Sequence, residues 1–106
     1  MTYTVCFSPE AEEQLAAIEQ YIAKAAASND TAERYVDGIV SFCENLVTFP
    51  KRGQRRDELL PGLRITHYRS RAVIAFLVDT EAELVSIVGV FYGGQDYETT
   101  FAQETD

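Results

Sequence analysis

The chain has 106 residues, 46% of them hydrophobic, a formal net charge of −8 and only two cysteines. That length fits one domain with a single modest core, and the apolar content excludes a disordered chain. No apolar run approaches the roughly 18 residues of a membrane span, two cysteines without a CxxC and one histidine imply neither a disulfide framework nor a metal site, and the acidic balance disfavours general nucleic-acid binding.

Thr2 to Phe7 alternates, with Tyr3, Val5 and Phe7 on one face, and reads as a short strand. Ser8-Pro9-Glu10 then signals a helix start: Ser8 as N-cap, Pro9 at the first position, and Glu10, Glu12 and Glu13 at the positive end of the dipole. Ala11, Leu15, Ile18, Ile22 and Ala25 fall on one helical face, and the helix is expected to end near Ala27-Ser28-Asn29. Asp30-Thr31-Ala32-Glu33 has the form of a capping box. The stripe Ala32, Tyr35, Val36, Ile39, Phe42, Cys43, Leu46 and Phe49 predicts a second helix stopped by Pro50. About three residues separate the two, which predicts an antiparallel hairpin.

Lys51 to Gly62 holds four cations with glycine and proline breakers. It reads as an exposed loop with a helical turn around Asp57 to Leu60. Leu63 to Tyr68, Arg71 to Asp79 and Leu84 to Tyr92 read as strands, the last two joined through Asp79–Glu83 as a hairpin. Gly93-Gly94 ends the sheet, and the polar tail from Gln95 either frays or forms a short terminal helix that orders on a partner. The expected fold is one α+β domain over 1–106: an N-terminal strand, an antiparallel helical hairpin and a three-stranded antiparallel sheet.

Charge is distributed unevenly. Seven of the nine basic residues lie between Lys51 and Arg71, against only Asp57 and Glu58, so this window carries +5 and the remainder −13. A solvated loop and strand edge accounts for it blandly, but such segregation favours a docking rim for an anionic partner. Arg55, Arg56, Arg64, Arg69 and Arg71, with Tyr68, Tyr92 and Tyr97 as aromatic anchors, are the candidate partner-binding residues. His67 reads as an ordinary strand histidine, and Cys6 and Cys43 as small core or half-buried residues.

The run Tyr3-x-Val5-x-Phe7-Ser8-Pro9-Glu10-Ala11, the helix ending Phe49-Pro50-x-x-Gly53, then Pro61-Gly62-Leu63-Arg64 and Asp96-Tyr97-Glu98 together resemble the RelE/ParE toxin superfamily of bacterial type II toxin–antitoxin modules, its ParE branch in particular. The resemblance spans residues 3 to 98. It implies a cytoplasmic toxin wrapped by the C-terminal segment of a cognate antitoxin, without a cofactor or membrane attachment. ParE-like members inhibit DNA gyrase with no catalysis of their own, whereas RelE-like members cut messenger RNA on the ribosome. The RelE-like chemistry needs a cation on the last strand beside the C-terminal tyrosine. Here Leu84 to Tyr92 holds no arginine, lysine or histidine, and Tyr97 has no cationic neighbour in sequence. No catalytic residue is therefore assigned, and no sequence-specific nucleic-acid binding is expected. The alternatives are a RelE-like endoribonuclease or a decayed member that only binds antitoxin.

Overall fold

The computed structural model describes residues 3–104. Thr2 of the expected first strand and the last two residues of the tail lie outside them. The elements run β1 (Thr4–Phe7), α1 (Pro9–Ala26), α2 (Asn29–Glu44), a 3-10 turn (Asn45–Val47), β2 (Gln54–Arg55), β3 (Arg64–Tyr68), β4 (Ala72–Asp79), β5 (Leu84–Tyr92) and α3 (Tyr97–Glu104).

The α1 start follows its sequence signal, with Ser8 Oγ accepting from the Ala11 N–H at 3.1 Å. Ala11, Leu15, Ile18 and Ile22 are buried as expected, but Ala25 is exposed. The helix ends because Ala27 turns left-handed (φ 52°) and the Ser28 N–H donates to Ala23 O. Ser28 then caps α2 itself, accepting from the Thr31 N–H at 3.2 Å. The expected capping box on Asp30 and Glu33 is therefore displaced by two residues, and Asp30 pairs instead with Arg34 at 3.0 Å, one turn on. One residue in a left-handed cap followed by a serine cap makes the tightest form of the hairpin.

α2 ends before Pro50. The backbone tightens into the 3-10 turn after Glu44, which leaves Leu46 buried but turns Phe49 out to 68% exposure. The expectation that Phe49 closes the core stripe fails for that reason.

The sheet is five-stranded and mixed, in the order β1-β5-β4-β3-β2. Its antiparallel centre β3-β4-β5 matches the expected three strands, while β1 adds in parallel beside β5 (Thr4↔Leu84 to Phe7↔Ile87). The two residues of β2, read in sequence as loop, pair only with Ile65 and Arg64. Opposite Ala75 and Phe76, β5 carries an irregularity at Val88, and Gln14 Oε1 of α1 takes the Val90 N–H at 2.7 Å beyond the end of β1. One sheet face, bearing Ile74, Phe76, Val85, Ile87 and Val90, packs on the helical hairpin. The other carries Leu63, Ile65, Ala75 and Phe91 under Phe101 of α3. The tail is thus a docked helix in the free chain, which explains why β4 and β5 read as continuous apolar runs: both faces are covered. Cys43 is buried, as expected, but Cys6 is exposed, since it alternates away from the face that Val5 and Phe7 bury.

Candidate partner-binding surface

Four of the eight candidate residues meet at one end of the sheet. Tyr68 ends β3, Tyr92 ends β5, and the turn Arg69-Ser70-Arg71 leads into β4 at Ala72. The Tyr35 ring of α2 sits edge-on to both tyrosines, at 5.7 Å from Tyr68 and 5.4 Å from Tyr92. Phe42 packs on Tyr68 at 5.4 Å, and Tyr21 of α1 on Tyr92 at 6.0 Å. Gly38 makes this possible, because a Cβ there would stand 2.2 Å from the Tyr68 hydroxyl. The two arginines lie on the aromatic faces, Arg69 over Tyr68 at 5.4 Å and Arg71 over Tyr92 at 5.7 Å. Among the described residues neither guanidinium has a carboxylate within 4.0 Å.

Two further features set this end apart. Arg69 and Ser70, in the three-residue turn between Tyr68 and Ala72, both adopt left-handed backbone (φ 53° and 57°), which glycine or asparagine would meet at lower cost. The Tyr35 hydroxyl is buried without a hydrogen-bond partner, and burial, then the neighbouring Tyr92 and Tyr68, pushes its pKa up. A cleft of about 350 Å³ opens beside the cluster, lined by Ile18, Tyr21, Arg71, Tyr92, Gly93 and Gln95. It offers aromatic walls, a free guanidinium and amides, the groups that hold an apolar side chain beside a carboxylate.

The remaining four candidates lie apart. Arg56 and Tyr97 are on the opposite sheet face, where Arg56 Nη1 donates to the Tyr97 hydroxyl at 2.9 Å. Tyr97 has no cationic neighbour in sequence, but the fold brings it one from 41 positions away. It is already engaged, however, with Glu58 at 2.6 Å and Glu98 at 2.5 Å, and its side chain is 17% exposed. Those contacts raise the Arg56 pKa further, Glu98 most, and hold Glu58 below the usual carboxylate range. Arg55 pairs with Asp57 at 2.9 Å on the exposed β2 edge. Arg64 turns inward and donates to the Lys51 and Arg52 carbonyls at 3.1 and 3.4 Å, so it braces a loop. Among the described residues no acidic, histidine or cysteine group could hold a metal, and no helix is long and apolar enough to cross a membrane.

The sequence profile described as the ParE toxin of type II toxin–antitoxin system, parDE, matches residues 5–97. The chain belongs to the ParE toxin family. Among curated proteins no sequence matches this ParE chain significantly. Its fold is shared with the chromosomal ParDE system of P. aeruginosa (TM-score 0.71, 21% identity, covering 86% of this chain and 96% of the other). It is also shared with the RelBE2 toxin–antitoxin complex of Mycobacterium tuberculosis (TM-score 0.63, 22% identity, 87% and 99% covered) and, more distantly, with a mutant E. coli RelE in the free state (TM-score 0.59, 13% identity, 99% and 98% covered).

Two groups of this ParE surface escape a reading of the sequence. Tyr35 and Phe42 lie on the apolar stripe of α2 and so read as core, while Tyr21 follows Gln20 off the buried stripe of α1 with nothing to mark it. The Glu58–Arg56–Glu98 link joins residues far apart in the chain, and its only signal is that Glu58 interrupts a basic window.

Proposed function

We propose that this chain is a non-enzymatic, cytoplasmic ParE-like toxin that a cognate antitoxin neutralises and that, when free, inhibits DNA gyrase. The observation that carries the non-catalytic part is the state of Arg56. Cleavage of an RNA linkage needs free cations beside the scissile phosphate and a group to take the 2′-hydroxyl proton. The one cation at Tyr97 is bracketed by two carboxylates, and β5 supplies no other. A phosphate approaching Tyr97 meets Glu58 and Glu98 first. A RelE-like ribonuclease is the second reading, favoured only by that Arg56–Tyr97 contact.

Antitoxin binding fits the aromatic end. Arg69 and Arg71 are charged, aromatic-backed and free of acids, so an acidic segment with apolar side chains can pair its carboxylates there and fill the cleft by Tyr21 and Tyr92. Because β2 covers only Arg64 and Ile65, the outer edge of β3 from Thr66 to Tyr68 is unpaired among the described residues, and an extended segment can add a strand to it. Inhibition of gyrase then requires unequal affinity for the states of its cycle, such as a preference for the cleaved-DNA state.

The test is induction in cells lacking the antitoxin. A DNA-damage response with intact messages is the expected outcome. New message 5′ ends that vanish with Tyr97→Phe support the ribonuclease instead.

A further inference from the structure

Phe49 is a large apolar side chain turned to solvent on a loop that is held in place. Arg52 Nε donates to the Phe49 carbonyl at 3.1 Å, Arg64 Nη1 reaches from β3 to the Lys51 and Arg52 carbonyls, and the Thr48 N–H donates to Asn45 O at 3.2 Å. Gly53 closes the loop with φ 84°, so near β3 that a Cβ would lie 2.5 Å from the Ile65 carbonyl oxygen. The Arg52 guanidinium sits 5.9 Å from the centre of the Phe49 ring. Beside the ring runs a shallow groove of about 390 Å³ between Tyr3, Pro50 and Lys51.

We infer that this knob is the surface by which the chain engages its target, and that its occupant is a polypeptide presenting an apolar pocket rimmed by carboxylates. The inference rests on the reading of the chain as a toxin with a protein target. An aromatic anchor carried on a backbone that is already held loses little backbone freedom on docking, and its two side-chain torsions add little more. Lys51 and Arg52 flank it, and neither has a carboxylate within 4.0 Å among the described residues, so the complementary rim is acidic. A duplex is the poorer occupant. Two cations on a chain of net charge −8 neutralise few phosphates, and a wedge between base steps depends on many such contacts. The knob also stands apart from the aromatic end: Arg64 and Tyr68 are at opposite ends of β3, four residues or about 13 Å apart.

The test compares wild-type chain with Phe49→Ala and, separately, Lys51→Glu. Three readouts are taken: growth arrest on induction without antitoxin, inhibition of purified gyrase, and affinity for the antitoxin. Both side chains are solvent-exposed, so thermal midpoints should agree with wild type. A tenfold or greater loss of potency in either variant, with antitoxin affinity unchanged within twofold, is the expected result. Arrest retained within twofold in both variants overturns the inference, as does a wild-type chain that arrests nothing. Duplex DNA binding abolished by Phe49→Ala also overturns it, making nucleic acid the occupant. Arrest by wild type without gyrase inhibition removes gyrase as the target, and the arrest comparison then decides the role of Phe49 alone.

Discussion

Tyr68 and Gly38 are matched partners, and their match is measurable. Alanine in place of a helical glycine ordinarily stabilises by about 1 kcal/mol. Here the new Cβ meets the Tyr68 hydroxyl, wedged between Tyr35 and Phe42, so Gly38→Ala should destabilise by about 1–3 kcal/mol in urea unfolding. Tyr68→Phe added to it should recover most of that loss, because the colliding atom is gone. Ser70→Gly should act the other way, raising stability by up to about 1 kcal/mol through relief of the left-handed backbone while leaving both flanking arginines in place. The cysteines separate by burial. Cys43 is pushed up to about 12, chiefly by desolvation, so a thiol reagent at neutral pH should label Cys6 alone in native protein and both in denaturant. Because the folded Cys43 holds its proton more tightly than the unfolded one, its contribution is complete below about pH 9 and is lost as pH climbs toward 12.

Among the described residues α3 is held by the buried Phe101 ring, by Tyr97 packed on Phe91 and by Arg56, and the first and last can be tested separately. Phe101 is 4% exposed against Phe91 at 6.1 Å, so Phe101→Ala should cost about 3 kcal/mol. Arg56→Gln should instead loosen α3 selectively, read as faster amide exchange from Tyr97 onward with the β4–β5 amides unchanged. Asp57 and Glu58 have depressed carboxyl pKa values, the Arg55 and Arg56 hydrogen bonds being the main causes. Their contribution is therefore present at neutral pH and lost as pH falls below about 4, and Arg56→Gln should flatten that acid limb. Elements of this kind are legible in sequence where the signal is local. Ser8-Pro9 placed the α1 start and the apolar runs placed β4 and β5, because caps and two-sided burial write themselves into neighbouring residues. The α2 start is ambiguous in sequence because Ser28 and Asp30 both carry cap chemistry, and the left-handed turn at Ala27 selects the earlier one. The parallel place of β1 and the α3–Arg56 link were illegible, since each depends on partners more than 40 positions away.

Across the whole molecule, the cationic window resolves into separate duties. Arg64 braces a loop, Arg52 donates to the Phe49 carbonyl, Arg55 and Arg56 are paired with acids, and among the described residues Lys51, Arg52, Arg69 and Arg71 have no carboxylate within 4.0 Å. Sequence located this charge correctly but not its division, because strand pairing decides which arginines turn inward. Reversal of both aromatic-backed charges, Arg69→Glu with Arg71→Glu, should weaken antitoxin binding at least a hundredfold and reduce its salt dependence, measured by calorimetry at two ionic strengths. The central claim is that the free toxin acts by binding gyrase and not by cutting RNA. Supercoiling of relaxed plasmid by purified gyrase, with antitoxin-free protein added at micromolar concentration, addresses it most directly. Loss of supercoiling that is restored by adding antitoxin is the predicted result, and undiminished supercoiling at that concentration would contradict the account.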